Sequence, residues 1–221
     1  MLNIAIDGPA GAGKSTIAKI VSKRLGILYL DTGAMYRSVA LKALKEGIDT
    51  KDRLSLVKVA DCIDICIKYR DNEQRIYLDK EDVSECIRTP EVSRAASDVA
   101  VVPEVRLKMV EIQRGIAAGN EVVMDGRDIG TYVLPNASLK IFLTASIEER
   151  AMRRYNEQKA KGITDIDLEE VKKDIELRDK NDSSRAFAPL SKAEDAVQID
   201  TTKMTIEEVA DKIISLVKRK I

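Results

Sequence analysis

Apolar residues along the chain follow two alternating rhythms. Leu2-Asn3-Ile4-Ala5-Ile6, Ile27-Leu28-Tyr29-Leu30, Glu121-Val122-Val123-Met124, Leu139-Lys140-Ile141-Phe142-Leu143 and Val197-Gln198-Ile199-Asp200 are short, nearly continuous apolar runs. Such runs predict strands buried on both faces, as in a parallel sheet. Between them the spacing lengthens to the helical period. Ile17, Ile20, Val21 and Leu25 mark a helix from Lys14 to about Leu25, stopped by Gly26. A second helix follows the polar segment 31–37 and runs through Ser38 to Lys45, a third covers 51–60, and 91–119 reads as helix broken at Pro103. Ser146 with Glu149, and Thr205 with Glu208, have capping-box spacing; they open an Arg-rich helix and an amphipathic terminal helix. This alternation predicts an α/β fold, a doubly wound parallel sheet with helices on both faces and ligands at the strand carboxyl ends.

Two segments depart from that rhythm. Over 61–88 the period becomes two, through Ile63, Ile65, Ile67, Ile76 and Leu78. A hairpin loop is expected at 70–74 and a second turn near 79–82. This β element, about 61–90, reads as an insertion into the sheet core without a hydrophobic centre of its own. Its period places Cys62, Asp64 and Cys66 on one strand face, the cysteines as small buried or half-buried residues. Residues 155–185 are highly charged, with Gly162 between helical pieces, and predict a surface lid over about 150–185. The rest, about 1–60, 91–149 and 186–221, forms the core of a single domain.

Composition narrows the function classes. Lys plus Arg equals Asp plus Glu at 37 each in 221 residues, so no global field draws the chain to nucleic acid or membrane. Aromatics are 4% and Trp is absent, which leaves little for a base-stacking platform. Histidine is absent too, excluding Ser–His, Cys–His and His-shuttle mechanisms. Cys62, Cys66 and Cys86 are an odd number; Cys62 and Cys66 could be imagined as metal ligands, but there is no histidine and only one further cysteine. No apolar run approaches a membrane span, and the first strand follows Met1 at once. A cytoplasmic monomer acting on small molecules is expected.

Gly8-Pro9-Ala10-Gly11-Ala12-Gly13-Lys14-Ser15 fits G-x-x-x-x-G-K-[ST], directly after the first strand and before the first helix. A glycine-rich turn there aims backbone N–H groups and the helix dipole at a polyphosphate. Lys14 would reach the terminal phosphates and the Ser15 hydroxyl would take a Mg²⁺ position. Four further polar clusters follow strand ends or populate the lid: 31–37, 125–128, 150–154 and 178–185. Arg37, Arg127, Arg178 and Arg185 come from separate regions and should converge on one cleft, where guanidinium groups suit phosphate oxygens. The plainer reading of Arg150, Arg153 and Arg154 is a solvated face paired with nearby Glu. Phosphoryl transfer suits this inventory, because positioning and cations carry most of its catalysis. An acceptor that is itself a phosphate needs no general base; a sugar or alcohol acceptor would call for Asp125 or Asp128. A GTPase-type switch is disfavoured by the absence of any N-K-x-D sequence.

Five segments together resemble the bacterial cytidylate kinases, a family of P-loop nucleoside monophosphate kinases. They are Asp7 with the glycine-rich turn through Thr16, Asp31-Thr32-Gly33-Ala34-Met35-Tyr36-Arg37, Ile87-Arg88-Thr89-Pro90-Glu91-Val92, Asp125-Gly126-Arg127-Asp128-Ile129-Gly130-Thr131 and Arg185-Ala186-Phe187-Ala188-Pro189-Leu190. The resemblance runs in order through essentially the whole chain and implies a P-loop NTPase-type core. It implies Mg²⁺-dependent transfer of the ATP γ-phosphoryl group to CMP, and to dCMP. It further implies that Gly8, Pro9, Ala10, Gly11, Ala12, Gly13, Lys14, Ser15 and Thr16 hold ATP, with Arg153 and Arg154 from the lid. Thr32, Ser97, Arg106 and Asp128 would surround the cytosine, and Tyr36 would also bind CMP. Arg37, Arg127, Arg178 and Arg185 would hold phosphates, and Asp182 the acceptor ribose. Lys14, Arg127, Arg178 and Arg185 would be the catalytic group.

Overall fold

Strand β1 (Asn3–Asp7) lies at the centre of a five-stranded sheet in a computed structural model that describes residues 1–70 and 73–220. The order is β2 (Leu28–Asp31), β6 (Val122–Gly126), β1, β7 (Leu139–Thr144), β8 (Val197–Asp200), with every neighbouring pair parallel. Alternation along β1 sends Ile4 and Ile6 to one face and Ala5 to the other. On the first face they meet Ile17 and Val21 of α1 (Lys14–Leu25) and Val209, Ile213 and Val217 of α8 (Ile206–Lys220). On the second face Ala5, Leu30 and Met124 meet Val110 and Ala117 of α5 (Pro103–Ala118). Each fully buried Ile or Val contributes about 1.5–3 kcal/mol, which is what drives both helical layers onto the sheet.

Between β2 and β6 the chain builds α2 (Thr32–Lys45), α3 (Arg53–Cys62), an antiparallel sheet of β3 (Ile65–Arg70), β4 (Glu73–Leu78) and β5 (Glu81–Asp82), and α4 (Pro90–Val99). Ile76, Leu78, Val83 and Ile87 from the β insertion share one cluster with Met35, Val39, Leu56, Val99 and Met109. The buried apolar residues of the insertion therefore pack on α2–α5, and Ile67 also reaches the cluster on the second face of the central sheet. After β7, α6 (Ile147–Ala160) and α7 (Leu168–Ser184) form a charged helical hairpin turned by Gly162 at φ 80°.

Several local expectations are corrected. The second helix starts at Thr32, because the Asp31 carboxylate accepts the Ala34 N–H and caps it; Thr32, Tyr36 and Arg37 thus stand on its first two turns. The β3–β4 ladder includes Arg70, Glu73 and Gln74, so the expected loop 70–74 shrinks, and residues 71–72 lie outside those described. Cys62 closes α3 and does not share a strand face with Cys66, and all three cysteines are exposed. Here helix continues until the main chain turns at Ile63, overriding the short-range alternation. The break before Pro103 is present, with Pro103 opening α5. At Thr205 both hydrogen bonds of the capping box form, whereas at Ser146 only the Glu149 N–H bond does, since the Glu149 carboxylate turns to Arg153.

The free flank of β2 is covered by side chains. Leu28 N–H donates to Glu121 C=O of the β6 segment, so Tyr29 and Asp31 turn their main-chain groups outward. The Tyr69 hydroxyl donates to Tyr29 C=O at 2.7 Å, and Asp31 N–H donates to Gln74 Oε1 at 2.8 Å. The insertion is thereby pinned to the edge of the sheet.

Candidate active site

The turn from β1 to α1 is possible only with glycine at its critical points. Gly8, Gly11 and Gly13 have φ of 147°, 76° and 87°, and a Cβ at Gly8 would overlap the Leu143 carbonyl oxygen. Gly13 caps α1 without a side chain, so the first N–H groups of the helix have no capping acceptor. Lys14 is buried and donates from Nζ to Pro9 C=O at 2.7 Å. Burial, with Arg127 and Arg178 close by, drives its pKa well below the ordinary lysine value. The Ser15 hydroxyl donates to Asp125 Oδ2 at 2.7 Å, and the Tyr29 hydroxyl to Asp125 Oδ1 at 2.9 Å. Burial, reinforced by nearby Asp31, pushes the Asp125 carboxyl above the usual range.

The arginines converge beside this cradle. Arg127, just past β6, donates from Nε to Asp182 of α7 at 2.6 Å, and Arg185 lies 3.6 Å from the same carboxylate. Burial opposes ionisation of Asp182, but Arg127 and Arg178 outweigh it and hold its pKa below the ordinary value. Arg178 forms no hydrogen bond or ion pair with the described residues. Burial and the fields of Arg127, Arg37 and Arg154 lower its pKa to about 10. Arg37 binds Asp31 at 2.8 Å. Guanidinium groups from α2, the β6 loop and α7 therefore share one electrostatic neighbourhood with Lys14.

A second polar cluster is centred on Asp128. Arg106 of α5 is 1% exposed and donates from Nη2 to Asp128 Oδ2 at 2.6 Å, while Arg185 approaches Asp128 Oδ1 at 3.4 Å. The Arg106 guanidinium lies over the Tyr36 ring, 5.5 Å from its centre. Arg106 Nε and Ser97 Oγ are buried without a protein partner, as is Arg37 Nε. The Thr32 hydroxyl donates to Asp125 C=O at 2.6 Å. Gly126 leaves room for this bond, since a Cβ there would stand 2.6 Å from Ile129 and 3.0 Å from Thr32 Oγ1.

The arginines of α6 divide. Arg154 pairs with Glu157 at 3.0 Å, and Arg153 pairs with Glu149 at 2.8 Å while donating to Thr201 C=O at 2.7 Å. Arg153 Nη1 nevertheless stands 3.9 Å from where a Cβ on Gly13 would be. Arg150 is buried and donates to Ala145 C=O and Ala10 C=O, so the solvated-face reading fails for it.

Two carboxylates escaped the sequence reading. Asp7, at the end of β1, accepts the Ile129 and Gly130 N–H groups at 2.8 and 2.7 Å and so holds the π-helical turn Ile129–Val133 behind Asp128. Burial raises its pKa to about 6. The signal was an acid inside a strand otherwise buried on both faces. Asp179 of α7 accepts the Ala10 N–H at 3.0 Å; no sequence signal separated it from the neighbouring lid charges.

Comparison with known proteins agrees with this geometry. A family described as cytidylate kinase matches residues 4–219. The chain is 55% identical over 215 residues to a cytidylate kinase of Caldicellulosiruptor bescii, covering 97% of this chain and 95% of the relative. It is 56% identical over 214 residues to a cytidylate kinase of Clostridioides difficile, covering 97% of each. Among solved structures it resembles in fold a shikimate kinase from Bacteroides thetaiotaomicron, with TM-score 0.51, 12% identity and 98% of each chain covered. A match spanning nearly every residue at more than half identity leaves one reading of its lineage: the chain belongs to the cytidylate kinase family.

Proposed function

We propose that this protein transfers the γ-phosphoryl group of ATP to CMP and dCMP, yielding ADP and the nucleoside diphosphate. The observation that supports it most is the gathering of Lys14, Arg127 and Arg178 around Asp182, next to the buried Arg106–Asp128 pair. One anionic ligand is gripped by main-chain amides, the other by guanidinium groups.

Residues 8–16 hold the donor triphosphate through N–H groups of the glycine turn and the α1 N-terminus, with Arg153 and Arg154 closing from the lid. Arg37, Arg127, Arg178 and Arg185 hold the acceptor phosphate and the group in transit. An acceptor phosphate oxygen attacks the γ-phosphorus as the bond to the ADP oxygen breaks. The acceptor oxygen is already anionic at neutral pH, so no general base is needed and the absence of histidine is no deficit. Lys14, Arg127 and Arg178 stabilise charge on the three equatorial oxygens in the transition state.

The oxygen donors beside the turn fit Mg²⁺. Among the described residues no cluster of three or more His, Cys, Asp and Glu could cage a metal alone. The Ser15 hydroxyl, already donating to Asp125, keeps its lone pairs for a hard cation shared with phosphates. Bound there, Mg²⁺ would neutralise the charge between the outer phosphates of the donor.

The acceptor pocket reads cytosine by donor–acceptor sense. Asp128 accepts from the exocyclic amine, and Arg106 Nε and Ser97 Oγ donate to the ring acceptors, with Tyr36 and Thr32 lining the pocket. Asp182 accepts from the ribose. Uracil would bring O4 against the carboxylate with no proton between them, costing roughly 1–3 kcal/mol. The deciding experiment is an ADP-release assay over CMP, dCMP, UMP, AMP and shikimate, with Mg²⁺ and with EDTA. CMP and dCMP are expected to lead, and EDTA to abolish turnover. A preference for AMP or shikimate would sink the proposal.

A further inference from the structure

The tip of the glycine turn is held from three directions by the lid hairpin. Ala10 N–H donates to Asp179 Oδ1 of α7 at 3.0 Å. Ala10 C=O accepts from Arg150 Nη1 of α6 at 2.9 Å, and the same Nη1 is paired with Asp179 Oδ2. Ala10 is 7% exposed and packs with Ala151, Val171 and Ile175, the apolar seam that joins α6 to α7. Arg150 is further anchored through Nε to Ala145 C=O at 3.0 Å, at the end of β7. Gly11, the next residue, runs so close that an added Cβ would stand 3.0 Å from both Cβ and the carbonyl oxygen of Arg150.

These contacts exceed what holding a loop shut requires. A main-chain amide on a phosphate-binding turn is satisfied by a carboxylate, and that carboxylate is itself neutralised by an arginine bound to the carbonyl of the same residue. We propose that Asp179 is a positioning residue: with Arg150 it locks the Ala10 peptide in the orientation that shapes the donor-phosphate cradle, making cradle geometry depend on lid position. The inference rests on the donor site being at residues 8–16, as above. Asp179 acts through Ala10. When α7 swings away, the Ala10 amide loses its acceptor and the turn is free to relax, so a displaced lid and a well-formed cradle exclude one another. Asp182, one helical turn further along α7, holds Arg127, so a single rigid helix positions both the donor turn and the acceptor-side arginine.

The test uses the full-length, nucleotide-free protein. Amide hydrogen exchange at Ala10, followed by nuclear magnetic resonance, is expected to accelerate at least tenfold in Asp179→Ala. In Asp179→Asn, whose amide oxygen can still accept, it should stay near the wild-type rate. Calorimetric titration with ATP should show about tenfold weaker binding in Asp179→Ala, with CMP affinity within threefold and Asn restoring most of the loss. Ala10→Gly, which removes only the methyl group, supplies a second variant and should speed exchange to a lesser degree. Unchanged exchange at Ala10 in Asp179→Ala, or equal losses of ATP and CMP affinity, would overturn the assignment. Wild-type protein that binds neither nucleotide would instead overturn the function proposed above, and the exchange readout would still decide the clamp.

Discussion

Arg106 and Asp128 form an ion pair at 2.6 Å in which the guanidinium is 1% and the carboxylate residue 5% exposed. Removing one partner strands the other charge out of water, at a cost of about 3–5 kcal/mol. Asp128→Ala is therefore expected to lose that much stability in urea unfolding, whatever its effect on substrates. Asp128→Asn is the cleaner probe of base reading, because its amide keeps an acceptor for cytosine and adds a donor for uracil. The ratio of kcat/KM for CMP over UMP should fall about tenfold or more. An unchanged ratio would remove Asp128 from base recognition.

Lys14 sits among Arg127 and Arg178, and its ammonium donates to Pro9 C=O. In the reaction proposed above its charge serves the donor phosphates and the transition state. Lys14→Ala is expected to lower kcat by about 10²–10³, with calorimetric CMP affinity changing by less than about threefold. Loss of CMP binding in parallel with kcat would move Lys14 to the acceptor side.

Asp7 has a folded pKa of about 6 against an ordinary value of 3.8, because its carboxylate is buried. A raised folded pKa means that the native state holds its proton to higher pH than the unfolded chain. The stability this provides is complete below about 3.8 and is lost as pH rises through about 6. The unfolding free energy of wild type minus that of Asp7→Asn should thus fall by about 2.4 kcal/mol between pH 4 and pH 7. A flat difference would show that burial does not dominate at this carboxylate.

Tyr69 and Gln74 each place one hydrogen bond on the outward main chain of β2. Tyr69→Phe and Gln74→Ala should each lose about 1 kcal/mol of stability. Because Asp31 carries Arg37, the Gln74 variant should also raise KM for CMP more than KM for ATP. Equal shifts in the two KM values would confine Gln74 to a structural role.

The parallel sheet was legible because its strands are buried on both faces and so read as unbroken apolar runs, as at Ile4-Ala5-Ile6. The glycine turn was legible because positive φ at Gly8, Gly11 and Gly13 admits almost no other residue. Arginine convergence followed from the rule that strand ends share one rim. Other features depended on contacts that no local pattern encodes. Cys62 fell in helix although its neighbours alternate, and most of the insertion's apolar residues joined α2–α5, with Ile67 alone also reaching the sheet cluster among the described residues of β3–β5. Asp7 and Asp179 act through main-chain N–H groups 122 and 169 residues away, a pairing invisible without the fold.

The flank of β2 closed by Tyr69 and Gln74 has a meaning beyond substrate recognition. An outermost strand with idle amides and carbonyls invites a neighbouring molecule to extend the sheet, which is how soluble proteins begin to aggregate. Here the appended β-hairpin occupies those groups. The hairpin thus doubles as a guard against intermolecular zippering, and losing its two polar tethers would expose the protein to self-association in crowded solution.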